Sequence, residues 1–167
     1  MRLGRIIRHL STGRAAVRQL FPPRTLGAIE RAIRETEAQH NGQIRFAVEA
    51  SLELAPLLAD QSARSRAEEV FAQLRVWDTE HNNGVLIYLL LADRDVEIIA
   101  DRGVHAKLGQ PVWEEICQEM EAAFRQGKFE EGVLAGIRSV GQHLAHHYPH
   151  AGEKINELPD RPVLLGG

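Results

Sequence analysis

The sequence has one cysteine, few aromatic residues and no long apolar run. The single cysteine, Cys117, excludes an internal disulfide and a zinc site built from cysteines. The longest apolar run, Val85–Ala92, is far shorter than the roughly 18–20 residues that span a bilayer. The first residues contain scattered arginines and no apolar core of a secretory signal. These absences favour a cytoplasmic protein, and 167 residues correspond to about one domain.

Charge is distributed unevenly along the chain. The net charge is −3, but residues 1–34 contain eight arginines and one acid, so this segment is +7 and the rest is −10. Residues 1–21 are predicted to form a basic arm whose apolar residues fall at helical spacing: Leu3, Ile6, Ile7 and Leu10. The arm either folds back on the acidic remainder or binds an anionic membrane surface or a membrane-associated protein, which would place the protein at the periphery of the inner membrane. Nucleic acid is disfavoured, because the arm lacks interleaved aromatics that stack on bases.

The rest of the chain divides into a predicted domain over residues 22–148 and a tail over residues 149–167. Four segments of the domain have helical spacing and three are typical of strands. The predicted helices begin near Thr25, Ser65, Pro111 and Phe129, and the predicted strands are 43–51, Val85–Ala92 and Val96–Ala100. Thr25 and Ser65 are interpreted as helix caps, and Trp77 as the last buried residue of its helix. The tail has no periodicity, so we expect order only where it docks.

The connection lengths predict how the three strands pair. The segment Asp93–Asp95 is too short to hold a crossover helix, so the two apolar strands form an antiparallel hairpin. A helix links the first strand to the second, which predicts a parallel pair with a right-handed crossover. Val85–Ala92 is apolar on both faces and therefore lies inside the sheet. The predicted fold class is α/β, a three-layer α/β/α sandwich with a small mixed sheet that contains an antiparallel hairpin.

The hairpin brings two polar segments, "EHNN" and "DRGVH", to one end of the sheet. A turn centred on Asp93 and Arg94 sets the following pairs: Gly84 with Gly103, Asn83 with Val104, and Asn82 with His105. We therefore expect one cluster that contains Glu80, His81, Asn82, Asn83, Asp101, Arg102 and His105.

These residue types suit metal and phosphate chemistry. Carboxylate and amide oxygens of Glu80, Asn82 and Asp101 are hard ligands that suit Ca²⁺ or Mg²⁺. Arg102 would hold a phosphate bidentately, and His105 would act as a general acid. The other residues of the site wall are His81, Asn83 and Gly103. A structural interpretation stays open, because Asn-Gly forms turns and an aspartate beside an arginine forms ion pairs at strand ends.

The hairpin and the last helix resemble a known family. The segments "NNGVLIYLLLADRDVEIIADRGVHAKL" and "FRQGKFEEGVLAGIRSV" are similar to the TPM domain family, which includes plant thylakoid-lumen proteins of photosystem II repair and bacterial membrane-anchored proteins. The resemblance covers roughly residues 24–147. It implies an α/β/α sandwich, acid phosphatase activity as claimed for plant members, and divalent cations bound near loops at the end of the sheet. The "DRGVH" segment departs from the glycine–aromatic–glycine loop of many members, so Arg102 and His105 lie outside the family pattern.

Three functions follow as expectations. The first is a regulatory or interaction domain that binds Ca²⁺ or Mg²⁺ and docks to a membrane-associated partner. The second is a weak, metal-assisted acid phosphatase with Glu80 and Asp101 as metal ligands, Arg102 on the phosphate and His105 as the acid. The third is a peripheral membrane adaptor that acts through the arginine-rich arm. The residues predict no organic cofactor, since no Walker or dinucleotide-binding loop is present.

Overall fold

Helices cover both faces of a small mixed sheet. The structure, a computed structural model, describes residues 2–166 and all side chains in that range except that of Arg2. Met1 and Gly167, the outer ends of the predicted arm and tail, lie outside the described residues.

Helices and strands follow one another along the described chain. The helices are α1 (Arg2–Ser11), α2 (Arg14–Leu20), α3 (Pro23–Glu37), α4 (Leu54–Leu58), α5 (Ala63–Gln73), α6 (Arg102–Leu108), α7 (Gln110–Arg125) and α8 (Phe129–His147). The strands are β1 (Gln43–Glu49), β2 (Gly84–Leu90), β3 (Asp95–Ala100) and β4 (Val163–Leu165). Their order in the sheet is β3-β2-β1-β4. β1 is parallel to β2 and β4, and β2 is antiparallel to β3, so the predicted parallel pair and hairpin are confirmed.

The two central strands are buried at every residue, which confirms the two-sided burial predicted for β2. One face of the sheet packs against α3, α7 and α8 through the larger core, in which Phe46, Ile87 and Trp113 are almost fully buried. The other face packs against α4 and α5, and Tyr88 and Val70 lie in that smaller core. Each large apolar side chain buried in this way stabilises the fold by roughly 1.5–3 kcal/mol.

The predicted hairpin register was wrong by two residues. Val85 pairs with Ala100 and Leu90 pairs with Asp95, so the turn is centred between Ala92 and Asp93. Arg94 closes this turn with a positive φ of 52°. The predicted pairs of Gly84 with Gly103, Asn83 with Val104 and Asn82 with His105 do not form, because the chain leaves the sheet after Ala100. It turns into α6, whose N-cap is Asp101 and which no periodicity in "DRGVH" indicated.

Two other local predictions were wrong. α5 begins after Ser62, which accepts a hydrogen bond from the Ser65 N–H, so Ser62 rather than Ser65 is the cap. α3 begins at Pro23, and Thr25 donates its hydroxyl hydrogen bond to Glu130 instead of capping the helix.

The end of α5 and the tail also differ from expectation. Trp77 lies beyond the end of α5 and is half exposed, so its predicted burial was wrong. The tail adds the short strand β4 at the edge of the sheet, which its sequence did not predict.

Side chains cover the free edge of β3. Glu121 accepts a hydrogen bond from the Val96 N–H (3.1 Å), and the Arg64 guanidinium donates to the Ile98 carbonyl (3.1 Å). Such capping protects an edge strand from pairing with another chain. Cys117 lies beside this edge and is buried. Burial raises the pKa of the Cys117 thiol to about 12, which makes it a poor nucleophile at neutral pH.

Candidate functional site

The predicted site lies at the amino edge of the sheet, the edge where the parallel strands β1 and β2 begin. The Asp101 N–H donates to the Gly84 carbonyl (2.9 Å), which fixes the start of α6 against this edge. Gly103 packs directly on the preceding loop, because a Cβ added there would lie 2.6 Å from the Asn82 carbonyl oxygen and 3.0 Å from that of His81. The structure therefore brings these two segments into contact, as predicted, although not through strand pairing.

Two of the predicted site residues, Asn83 and Asp101, each have a buried side-chain oxygen without a hydrogen-bond partner within the described residues. Asn83 is fully buried, and its side-chain N–H donates to the Asn41 carbonyl (2.8 Å) while its Oδ1 atom stays unpartnered. Asp101 accepts the Arg102 N–H (2.7 Å) at Oδ1, and its Oδ2 atom is buried and unpartnered. Buried polar atoms are usually satisfied, so unpartnered acceptors favour a bound cation or an ordered water.

The other predicted site residues are divided between two places. Glu80 and His81 are exposed and line a cavity of about 250 Å³ against the C-terminal tail, and the Glu80 N–H donates to Glu157 (2.8 Å). Arg102 and His105 are exposed on α6, and neither lines that cavity. No group of three or more His, Cys, Asp or Glu side chains in residues 2–166 is arranged to hold a metal ion. A cation here would therefore depend on amide and carbonyl oxygens as well.

The sequence-based prediction missed a largely buried ionisable pair behind this edge, Glu37 and Lys154. Lys154, from the tail, donates to the Glu37 carbonyl (2.7 Å) and the Gly42 carbonyl (3.3 Å) and forms an ion pair with the Glu37 carboxylate (3.3 Å). Burial raises the pKa of Glu37 to about 7, although the Ile44 N–H opposes that shift. The signal was present in α3, because Glu37 follows Ile29 and Ile33 at intervals of four, on the buried stripe of the helix.

Neighbouring His40 should make the fold sensitive to acid. The imidazole is fully buried, and burial together with Lys154 lowers its pKa to about 4. The folded state then binds fewer protons than the unfolded state between about pH 4 and 6.5, so stability falls as pH falls through that window. We expect wild type to lose about 3 kcal/mol more than His40→Leu between pH 7 and pH 4. Urea unfolding at both pH values checks this, and equal losses in the two proteins would disprove it.

The opposite, carboxyl edge of the sheet, where β1 and β2 end, contains the buried carboxylate of Glu49. Both of its oxygens accept hydrogen bonds from Arg66 (2.9 and 3.0 Å), and the Tyr88 hydroxyl donates to Oε2 (2.6 Å). Burial first, and the charge of Glu49 second, raise the pKa of Tyr88. Because both oxygens are occupied, the arrangement favours a structural role.

The basic arm folds onto this carboxyl edge through α1. Arg5 bonds the Asp93 carboxylate (Nε 3.0 Å) and the Gln61 carbonyl (2.8 Å), and Ile6 packs against the smaller core. His9 is buried, and its Nδ1 atom accepts the Leu52 N–H (3.0 Å), so the ring proton lies on Nε2, 3.1 Å from Asp93. Burial alone would raise the pKa of Asp93, but the hydrogen bonds from Arg5 and His9 lower it below its usual value.

Comparison with known proteins identifies the family. The family model of the TPM domain matches residues 17–143. This chain belongs to the TPM domain family. The family prediction made from residues 82–105 and 124–140 is therefore confirmed.

Solved structures resemble this TPM domain over most of its length. The NMR structure of the BA42 protein from the psychrophilic bacterium Bizionia argentinensis is 30% identical, with a TM-score of 0.74 over 84% of this chain and 92% of that chain. The N-terminal domain of a P. gingivalis protein is 20% identical, with a TM-score of 0.63 over 80% of this chain and 83% of that chain, and shows a shared fold. The comparison with curated proteins returned no match.

Helix α1 precedes the residues that match the TPM family model, and its orientation is unusual. Arg5 and His9 face the domain, whereas the apolar residues of the α1 outward face are exposed: Leu3 (70%), Ile7 (58%) and Leu10 (71%). Exposed arginines follow on the same segment: Arg8, Arg14 and Arg18. No helix within residues 2–166 is both long and apolar enough to cross a membrane.

Proposed function

We propose that this TPM domain is an interaction domain that docks to an anionic membrane surface through the α1 outward face. The inverted placement of α1 carries the proposal. A helix that only covers its own domain turns its apolar stripe inward. Among the described apolar residues of α1 only Ile6 does so, beside Arg5 and His9, whereas Leu3, Ile7 and Leu10 are exposed. Apolar side chains grouped on one exposed face are typical of an interaction surface.

Charge favours lipid as the partner of this face. Residues 1–20, which contain α1 and α2, have five arginines and no acidic residue, so an anionic surface attracts this segment. Each arginine near an anionic bilayer contributes roughly 1 kcal/mol. Arg8, Arg14 and Arg18 are exposed on this segment, and Arg8 also contacts Asp93 (3.4 Å) while Arg14 also donates to the Gly166 carbonyl (2.7 Å). An amphipathic helix with apolar and basic residues lies in the plane of the lipid interface.

Vesicle sedimentation tests the proposal directly. We expect the full chain to sediment with phosphatidylcholine vesicles that contain phosphatidylglycerol, and not with phosphatidylcholine alone. Binding should weaken strongly as the salt concentration rises from ~0.05 to ~0.5 M, because salt screens the attraction between the arginines and the anionic lipid. Failure to bind anionic vesicles at low salt would reject the lipid proposal. Concentration-dependent dimerisation through the same face, blocked by a charge on Ile7, would assign the face to a second copy instead.

A divalent cation at the amino edge is a second candidate function. The supporting observation is the pair of buried, unpartnered oxygens, Asn83 Oδ1 and Asp101 Oδ2, close to the loop whose His81 and Asn82 carbonyls face Gly103. Oxygen ligands of this kind suit Ca²⁺ or Mg²⁺. In such a site the Asp101 carboxylate supplies the negative charge, the Asn82 backbone carbonyl is a further ligand, and Glu80 is the ligand on the exposed side.

A thermal shift with Ca²⁺ or Mg²⁺ should distinguish a cation from a water. A cation at 100 times its Kd adds about 2.7 kcal/mol of stability, which corresponds to a rise in Tm of roughly 5–10 °C. Asp101→Asn should lose this shift, whereas Asp78→Asn, at an exposed aspartate paired with Arg75, should keep it. If neither Ca²⁺ nor Mg²⁺ changes the Tm of wild type, the cation site is excluded.

Acid phosphatase activity stays a prediction without a specific structural observation in its favour. Arg102 and His105, the proposed phosphate ligand and acid, are exposed on α6. Hydrolysis of an aryl phosphate by wild type and not by Asp101→Asn would support it.

A further inference from the structure

A cavity of about 470 Å³ lies at the carboxyl edge, where α1 meets the hairpin turn. Arg8 and Thr12 line it from the arm, and Arg94 lines it from the turn. This edge, beyond the ends of the parallel strands, is where open α/β sheets bind ligands. The volume lies within the range of small-molecule sites.

The polar side of the cavity has an excess of positive charge. Asp93 also lines it, but that carboxylate is already engaged by Arg5 (2.9 Å) and His9 (3.1 Å). Arg8 is 3.4 Å from the same carboxylate and keeps more than half of its side chain exposed. Within residues 2–166, the exposed Arg94 makes no ion pair or side-chain hydrogen bond. Two guanidinium groups and a hydroxyl beside a neutralised carboxylate suit a phosphate.

The other side of the cavity is apolar. Ala16 and Leu20 from α2 and Phe129 from α8 line it, so the site presents a phosphate-binding rim next to an apolar wall. A free phosphate has no apolar group to pack against that wall, whereas a lipid would place its glycerol and first methylenes along it. Arg8 joins this rim to α1, the helix that carries the α1 outward face.

We propose that this cavity binds the phosphate group of an anionic lipid, with Arg8 and Arg94 on the phosphate and the glycerol end against Leu20 and Phe129. The inference rests on the membrane docking proposed above and adds recognition of the headgroup. A phosphate with no bulky substituent, as in phosphatidic acid, fits best because the arginines need access to its free oxygens.

Arg94→Gln is the informative variant, because Arg94 lies outside the arm. Binding is measured to phosphatidylcholine vesicles that contain phosphatidic acid, and to vesicles of equal surface charge that contain cholesteryl hemisuccinate, an anionic lipid with a carboxylate. We expect wild type to prefer phosphatidic acid about tenfold and Arg94→Gln to lose the preference. Arg138→Gln, at an exposed arginine on α8, should keep it. Equal binding of wild type to both vesicles, or a preference that survives in Arg94→Gln, would overturn the headgroup site.

Soluble probes separate this inference from the docking proposal. Dihexanoyl phosphatidic acid below its micelle concentration should shift the amide signals of residues 92–94 in wild type and not in Arg94→Gln. These shifts without any vesicle binding would support the cavity and reject membrane docking. Inorganic phosphate that binds as tightly as the soluble lipid would overturn the lipid as ligand, and no shift with either probe would overturn the site.

Discussion

Replacing Leu3, Ile7 and Leu10 together with glutamine should lower the partition coefficient for anionic vesicles roughly 1,000-fold, because about 4 kcal/mol of apolar transfer is lost. Each of these side chains is more than half exposed, so little of that transfer energy is used within the domain itself. Glutamine is nearly as good a helix former as leucine, and the free energy of unfolding should change by less than about 1 kcal/mol. Vesicle sedimentation and urea unfolding measure the two quantities.

The matched control uses exposed leucines elsewhere on the molecule. Leu54 and Leu58 on α4 are 53% and 60% exposed, and their replacement by glutamine removes similar apolar surface without touching α1. That pair should leave vesicle binding unchanged. If the control weakens binding as much as the α1 variant does, general hydrophobicity explains the binding and the α1 outward face has no special role.

Glu49→Ala should destabilise the domain by about 3–5 kcal/mol, because the buried Tyr88 hydroxyl loses its acceptor and Arg66 keeps only its bond to Glu69. Tyr88 is fully buried, and its hydroxyl donates to Glu49, while Arg66 donates to both oxygens of the same carboxylate. A loss of this size is a large share of the roughly 5–15 kcal/mol that stabilises a domain. Urea unfolding at neutral pH is the measurement.

Glu69 provides the comparison for this prediction, because it is a half-exposed acid that bonds the same Arg66 (2.9 Å). An exposed ion pair is worth at most about 1 kcal/mol, so Glu69→Ala should have a small effect. Similar destabilisation by the two alanine variants would show that burial of the Glu49 network contributes nothing beyond a surface ion pair.

The main features of the fold were predictable because they depend on local patterns. Period-two alternation identified β1, and an apolar run buried on both faces identified β2. The short link after β2 required a hairpin, and the helix before it required a parallel crossover. Gly127, with a positive φ of 76°, separates α7 and α8.

The errors arose where a long-range contact or a single backbone angle decides the outcome. Arg94 adopts a left-handed conformation that closes the turn earlier than the predicted centre, and this shifted every pair by two residues. β4 has three residues and no periodicity, so only its pairing with β1 reveals it. α6 follows from the cap that Asp101 forms after the strand ends, within a segment predicted to continue β3.

For the functional surfaces too, contacts set by chain length were predictable and orientations set by long-range contacts were not. The contact between the loop at His81 and Asn82 and the segment at Gly103 was predicted correctly, because any hairpin of about this length brings them together. The orientation of α1 was not predictable, since helical spacing defines a stripe but not the direction in which it faces. That direction depends on Asp93, which lies far along the chain from Arg5 and His9.

The depth of α1 in a bilayer tests the central claim most directly. A fluorophore attached to Ile7→Cys is compared with one on Ala106→Cys, an exposed position on α6, while the buried native Cys117 reacts slowly. With anionic vesicles that contain lipids brominated on their acyl chains, we predict strong quenching at position 7 and none at position 106. Equal quenching at both positions, or none at position 7 in vesicle-bound protein, would contradict docking through the α1 outward face.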